Sequence, residues 1–129
     1  MACATGSVSR GVTTGSLTGG VGSKRYRVTF QGPGGHSYGN FGRPSPTHAV
    51  GRIIAKLATM EVPTKPKTTY NVGRISGGTA VNAIAEESWM EIDLRSESPA
   101  ELDKIEVKMY EAIRTSMDEE NKQRAASGM

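Results

Sequence analysis

Residues 24–31, KRYRVTFQ, alternate between polar and apolar side chains. The apolar members are Tyr26, Val28 and Phe30, and the polar positions that alternate with them include Arg25 and Arg27. An alternation of period two built from β-forming residues predicts a half-buried strand. The glycine- and proline-rich run 32–35 then ends that strand. The segment therefore predicts a sheet whose Tyr26 face lies against a hydrophobic core.

Two helices and two further strands are predicted downstream. Ser45-Pro46 has the form of an N-cap followed by a first-turn proline, and apolar residues then recur at helical spacing up to Leu57. Strands are predicted over 68–75 and 88–94; the run 76–78 breaks or bulges the first of these, which Val81 and Ile84 could resume. Ser98 and Glu101 form a capping box that begins the second helix. The polar run 118–124 predicts a solvated end of that helix.

The order of elements is β-α-β-β-α, which predicts an α+β fold with two helices on one face of an antiparallel sheet. This is a ferredoxin-like, split β-α-β-β-α two-layer sandwich whose last strand is missing or replaced by the N-terminal segment. We divide the chain into a flexible Gly/Ser/Thr-rich segment at 1–23, part of which could form a strand, one domain at 24–117, and a polar C-terminal tail at 118–129.

The missing last strand would leave the first strand with an open edge, which proteins normally cover. Residues 11–18 could fold back through Gly19-Gly20 and pair antiparallel with the first strand, since Gly-Gly is a permitted two-residue hairpin turn.

The composition excludes several classes of protein. Sixteen Lys and Arg against thirteen Asp and Glu give a net charge of +3, well short of a nucleic-acid-binding tail. A single cysteine, Cys3, excludes a disulfide scaffold and a cysteine-based zinc cage. No apolar run reaches about 18 residues and no signal-peptide pattern is present, so we expect no membrane span and a cytoplasmic location. His36 and His48 are the only histidines, which argues against a self-sufficient metal centre.

Three residues are candidates for chemistry. His36 follows three glycines in a loop and could donate a hydrogen bond to a developing oxyanion, or it could be a surface histidine of a Gly-rich turn. Asn82 lies in the run 77–84 and could bind a carboxylate or peptide group, or cap local backbone. Arg95 at the end of the third strand suits carboxylate recognition, although an ion pair with Asp93 or Glu97 is an equally good interpretation.

Residues 24–117 resemble the dimerisation, or lid, domain of the M20 family of zinc metallopeptidases and aminoacylases. The matching motifs are the loop GPGGHS at 32–37, the helix from Pro46, the segment GGTAVNAI at 77–84 and the strand end EIDLRS at 91–96. They occur in the family's order and relative spacing. The family often has proline where this chain has Ala85.

The resemblance implies a role as part of a larger hydrolase. Members carry a separate catalytic domain with one or two zinc ions that hydrolyses peptide or amide bonds, as in aminoacylases and carboxypeptidases. This chain has no counterpart of that domain, so we expect no cofactor in it and no activity on its own. His36 would stabilise the oxyanion, in trans in many members, while Asn82 and Arg95 would bind a peptide or N-acyl amino acid substrate. A homodimer would form through the first helix and the edge of the second strand.

Two alternatives remain open. The chain could be a ferredoxin-like RNA-binding module with Lys24, Arg25, Arg27 and Arg74 on the sheet, although outward-facing aromatic residues for base stacking are not predicted. It could also be a module of the same topology that binds a small-molecule ligand.

Overall fold

The computed structural model describes residues 4–10 and 21–126. The strands are β1 (Thr5–Arg10), β2 (Gly22–Gln31), β3 (Gly35–His36), β4 (Thr68–Gly77), β5 (Ala83–Ile84) and β6 (Glu87–Ser96). The helices are α1 (Pro46–Ala58) and α2 (Pro99–Ala126). The four long strands form one sheet in the order β1-β2-β6-β4, and β3 and β5 form a separate pair. All pairs are antiparallel, so the predicted α+β two-layer fold is confirmed.

One face of the four-stranded sheet packs against both helices. The alternation in β2 is confirmed, because Tyr26, Val28 and Phe30 are all buried. They meet Met90, Ile92 and Leu94 from β6, which pairs with β2 over ten positions. The helices complete this core with Ala49, Val50, Ile53, Leu57, Leu102, Ile105, Met109, Ala112 and Ile113.

Each helix begins at the residue that its capping signal predicts. The Ser45 Oγ atom accepts a hydrogen bond from the backbone N–H of His48 at 3.3 Å. The Ser98 Oγ atom accepts a hydrogen bond from the backbone N–H of Glu101 at 3.3 Å. This bond satisfies an N–H group of the first turn that has no acceptor within the helix. The Glu101 carboxylate pairs with Lys104, so only one half of the predicted capping box forms.

The N-terminal segment covers the edge of β2, as predicted, but different residues do so. β1 pairs with β2 from Thr5 opposite Gln31 to Arg10 opposite Tyr26. The predicted strand at 11–18 lies outside the described residues. The start of β1 is held by Asn121 of α2, whose side-chain amide bonds both the N–H and the carbonyl of Ala4, at 2.9 and 3.3 Å.

Gly6 lets β1 approach the core closely. A Cβ atom at Gly6 would lie 2.7 Å from the Phe30 ring and would also overlap the Met117 side chain. We expect Gly6→Ala to lower the free energy of unfolding by about 1–3 kcal/mol, because Phe30 is buried and cannot yield. Urea denaturation measures this change. Ser7→Ala, one residue along on the exposed face, is the control; equal losses in both variants would contradict the packing of β1.

The second predicted strand ends at Gly77, within the predicted break at 76–78. β4 continues to Gly77, and its register shift lies between Val72 and Arg74, not at 76–78. Val81 and Ile84 do not resume it, because Ala83–Ile84 pairs with β3. Gly77 and Gly78 have φ values of +145° and +91°, a conformation that favours glycine and turns the chain away from the sheet.

A buried carboxylate joins the two helices. The predicted solvated end of α2 is wrong at Glu120, which has no exposed surface. Its carboxylate accepts hydrogen bonds from the Ser45 backbone N–H at 2.9 Å, from Arg52 Nε at 3.1 Å and from Arg124 Nε at 2.9 Å. Two guanidinium groups and the N-terminus of α1 compensate the buried charge. A polar run in the sequence cannot reveal such a partner set.

We expect Glu120→Gln to lower the free energy of unfolding by about 2–4 kcal/mol, because both arginines would lose their buried counter-charge. Urea denaturation again provides the measurement. Glu119→Gln is the matched control, since Glu119 is half-exposed and binds Lys56 at the surface. Similar stability of the two variants would mean that the buried carboxylate does not hold the helices together.

Candidate functional site

The β3–β5 pair brings His36 and Asn82 together. His36 lies opposite Ala83 in this ladder, and the Ser37 N–H donates to the Asn82 carbonyl at 2.9 Å. A second hydrogen bond, from the Gly32 N–H to the Glu86 carbonyl at 2.9 Å, ties the start of the loop to the same segment. The GGH loop and the Asn segment, which are far apart in sequence, therefore form one local structure.

The turn after His36 is tightly packed. Gly35 has a φ of +135°, and a Cβ atom there would lie 2.8 Å from Asn40 Oδ1 and 2.9 Å from an Arg43 guanidinium nitrogen. Asn40 Oδ1 accepts a hydrogen bond from the His36 N–H at 2.8 Å, and Arg43 donates to the Gly34 carbonyl at 2.9 Å. Gly35 is required here by both its conformation and its lack of a side chain. The sequence patterns do not single out Asn40 or Arg43. The only signal for Asn40 is its position four residues after His36.

The imidazole of His36 is oriented by backbone donors. Its Nδ1 atom accepts hydrogen bonds from the N–H groups of Tyr38 and Gly39, at 3.2 and 3.4 Å. A ring nitrogen that accepts a hydrogen bond carries no proton, so the neutral ring has its proton on Nε2. The residue is exposed. The arrangement therefore presents an N–H donor to the outside, which is the group that an oxyanion requires.

Asn82 is exposed in the turn before β5. Its backbone carbonyl is used by Ser37, but among the described residues its side-chain amide has no hydrogen-bond partner. Among the described residues, the Asn82 side chain therefore does not cap local backbone, which was the alternative interpretation. The amide is available to a ligand.

Arg95 lies at the opposite end of the sheet. It is opposite Thr69 and Ser23, eight positions along β6 from Glu87, which adjoins the His36 loop. At about 3.3 Å per residue, this separation is about 26 Å. The Arg95 Nε atom donates to Asp93 Oδ2 at 2.8 Å, so the ion pair with Asp93 does form. The structure does not bring Arg95 into the His36–Asn82 site.

The outer face of the sheet carries paired charges. Arg27 and Arg74 both bind Glu91, at 3.1 and 3.3 Å, and Arg25 binds Asp93 at 3.1 Å.

Lys24 lies on the other face. Burial lowers the pKa of its amine, but hydrogen bonds to Glu106 and Asp103 outweigh this effect and leave the pKa raised.

This face offers little to a stacked base. Tyr26 and Phe30 are in the core, and the Trp89 ring is covered by the Arg27 guanidinium at 4.0 Å from its centroid. A sheet that binds RNA needs exposed aromatic platforms, so the geometry does not favour the RNA-binding alternative.

A metal site within residues 4–10 and 21–126 would need several ligands in one place. No group of three or more His, Cys, Asp or Glu side chains occurs among these residues. The described helices also include none that is long and apolar enough to cross a membrane.

The peptidase dimerisation domain of the M20 family matches residues 18–121. This chain belongs to that family. The match spans the sheet from β2 onward, both helices and the His36 loop. M20 enzymes use zinc in their catalytic domain, and homodimerisation is the family role of this domain. No curated protein matches the chain.

Solved structures confirm the fold of this M20 dimerisation domain. The aminobenzoyl-glutamate utilization protein from Klebsiella pneumoniae superposes with a TM-score of 0.72 at 17% identity, over 76% of this chain and 25% of that one. A hydantoinase/carbamoylase family amidase from Burkholderia vietnamiensis gives 0.70 at 17% identity, over 78% and 25%. Aminopeptidase PepT from Bacillus cereus gives 0.63 at 21% identity, over 92% and 27%. The chain spans about a quarter of the length of these proteins.

The orientation of His36 is directly testable. We expect nitrogen-15 NMR of the imidazole to show a proton on Nε2 and none on Nδ1 in the neutral ring. Gly35→Ala should abolish this pattern, because the added methyl group displaces Asn40 and Arg43. Gly39→Ala is the control, since a Cβ atom there has no neighbour within 4 Å. A proton on Nδ1 in the unaltered chain would contradict the assignment.

Proposed function

We propose that this M20 dimerisation domain acts as the lid of a zinc-dependent peptidase or amidohydrolase and supplies two groups to its active site. The His36 Nε2–H donates to the oxyanion formed at the scissile carbonyl, and the Asn82 amide binds the substrate. The substrate class is a peptide or an N-acyl amino acid. The zinc chemistry belongs to the catalytic domain and not to the described residues.

The orientation of the imidazole is the observation that carries this proposal. Two backbone N–H groups hold Nδ1 as an acceptor, so the donor is set before any substrate binds. Pre-set donors are effective because they need no reorganisation when charge develops in the transition state. A surface histidine without a role would have no need of a glycine at φ +135°, a buttressing asparagine and two backbone donors.

The position of Arg95 supports a site shared between two copies. A two-residue substrate is at most about 7 Å long, whereas Arg95 lies about 26 Å along β6 from Glu87, at the end of the strand that adjoins the His36 loop. One copy cannot place both residues on the same substrate. In our proposal the dimer has two active sites. Arg95 of one copy binds a substrate carboxylate in one of them, while His36 and Asn82 of the same copy bind the substrate in the second active site. Since Nε is engaged by Asp93, the terminal guanidinium nitrogens would bind the carboxylate.

We further propose that the dimer forms through α1 and the free edge of β4. β4 is an edge strand, and its Tyr70 hydroxyl donates to the Ala58 carbonyl at 3.3 Å, so helix and edge adjoin. The outward side of α1 carries Gly51, Ala55 and Ala58, all exposed. Gly51 is in mid-helix, where glycine costs about 1 kcal/mol, and nothing lies within 4 Å of its would-be Cβ atom. Close approach of a partner helix would explain why position 51 is a glycine. Antiparallel pairing of two β4 edges is also compatible with a two-fold axis.

We expect the chain to be dimeric and Gly51→Arg to raise the dimer dissociation constant at least about tenfold, equivalent to about 1.4 kcal/mol, because the arginine blocks helix approach. Sedimentation equilibrium measures this constant. Val107→Arg, at an exposed position on α2, is the control. A monomeric wild-type chain, or equal effects of both variants, would reject this interface.

The catalytic role can be tested by placing the whole chain in aminopeptidase PepT from Bacillus cereus in exchange for its matching region. We expect the chimera to hydrolyse peptides, and His36→Ala to lower kcat by about 10²–10³-fold, the usual effect of losing one oxyanion donor. His48→Ala, which removes the other histidine, should leave kcat near its starting value. A chimera whose kcat does not depend on His36 would refute the role.

A further inference from the structure

Three exposed apolar residues lie in the two segments that form the His36–Asn82 site. We define the apolar rim as Tyr38, Phe41 and Val81. Tyr38 is 90% exposed, Phe41 is 60% exposed and Val81 is fully exposed. Apolar side chains left in water in a cluster commonly mark a binding site. Here all three belong to the two segments that carry His36 and Asn82.

The rim lies within reach of the reacting centre. The Tyr38 N–H is 3.2 Å from His36 Nδ1, so the Tyr38 backbone adjoins the imidazole itself. The Phe41 N–H donates to the Tyr38 carbonyl, which places Phe41 in the same turn. On the other strand, Val81 directly precedes Asn82, whose carbonyl binds Ser37. The backbone of the rim residues therefore adjoins both His36 and Asn82.

The rim is also free of charge. Residues 36–42, HSYGNFG, and residues 79–83, TAVNA, contain no Asp, Glu, Lys or Arg in a chain where 22% of residues are charged. The nearest guanidinium, that of Arg43, is bound to the Gly34 carbonyl at 2.9 Å. Such a surface would bury the surface of an apolar side chain.

We infer that the apolar rim is a specificity element that binds an apolar side chain of the substrate, next to the carbonyl whose oxyanion His36 stabilises. This inference rests on the proposed function and narrows its substrate class to peptides or N-acyl amino acids with an aromatic or aliphatic side chain at that position. Tyr38 and Val81 contact the side chain from the two strands, and Phe41 extends the surface. Removing such contacts reduces discrimination by about 10–200-fold in enzymes.

The first test uses the intact chain and needs no catalytic domain. Nitrogen-15-labelled chain is titrated with N-acetyl-phenylalanine amide and with N-acetyl-aspartate amide as probes. We expect the phenylalanine probe to shift the amide signals of Tyr38, Gly39, Val81 and Asn82 with millimolar affinity, and the aspartate probe to leave them unchanged. Tyr38→Ala should remove the effect, whereas Val107→Ala, which removes an exposed valine on α2, should not. Equal shifts with both probes, or none with either, would overturn the inference.

The second test uses the PepT chimera and peptides that differ only in the residue beside the scissile carbonyl. Tyr38→Ala with Val81→Ala should lower kcat/KM about 10–200-fold for phenylalanine and leucine substrates and leave the glycine substrate within about twofold. An active, His36-dependent chimera whose selectivity does not change would defeat this inference and leave the proposed function standing. A chimera that is inactive or independent of His36 would defeat the proposed function instead. If the double substitution makes the free chain monomeric, the rim is an interface between copies, and the inference is wrong.

Discussion

The ten-residue antiparallel pairing of β2 with β6 is the constraint on which the other features of this domain depend. Its Tyr26 face supplies the core against which both helices pack. Glu87 and Arg95, near its two ends, lie about 26 Å apart, and each end carries one part of the candidate chemistry. Gln31 and Glu87 at one end lead into the His36 loop and out of the Asn82 segment, while Arg95 is at the other end. The pairing thus separates His36 from Arg95 by more than the length of a small substrate, and for that reason a second copy belongs to the proposed function.

The His36 loop is anchored at both of its ends. Its start is bound to the Asn82 segment through Gly32 and Glu86. Its end is Ser45, whose N–H is bound by the buried carboxylate of Glu120 and whose hydroxyl caps α1. Because α1 cannot shift without disturbing that charge cluster, the loop is held between the sheet and the end of α2. This explains how a glycine-rich loop can still present its imidazole in one orientation.

The two edges of the sheet differ. β1 covers the edge of β2, and Asn121 of α2 fixes its start. Among the described residues the outer edge of β4 has no partner strand, and β4 carries a bulge at Gly73. In the described sheet β1 and β4 are the two edge strands, and β4, which adjoins α1, is the edge assigned to the proposed pairing. Antiparallel pairing of two β4 edges around a two-fold axis would give a closed dimer.

Local periodicity in the sequence was sufficient to predict the helices, the central strands and the face of β2 and β6 that is buried, because the spacing of apolar residues is set by backbone geometry. The motifs around His36, Asn82 and Arg95 likewise led to the correct family. The sequence could not predict the register of β1, because only Val8 in that strand is a clear apolar marker and its anchor, Asn121, is at the far end of the chain. It also could not predict that Glu120 is buried, since a carboxylate in a polar run has the same local signature whether its partners are arginines or water.

The same distinction holds within the site. The sequence by itself determined which residues are present and that His36 and Asn82 lie in glycine-rich turns. Only the tertiary structure decided that those two turns meet in one ladder, that backbone donors fix the imidazole, and that Arg95 is far away. The physical reason is that hydrogen bonds between distant segments depend on how the strands are paired, and that pairing is a property of the whole fold.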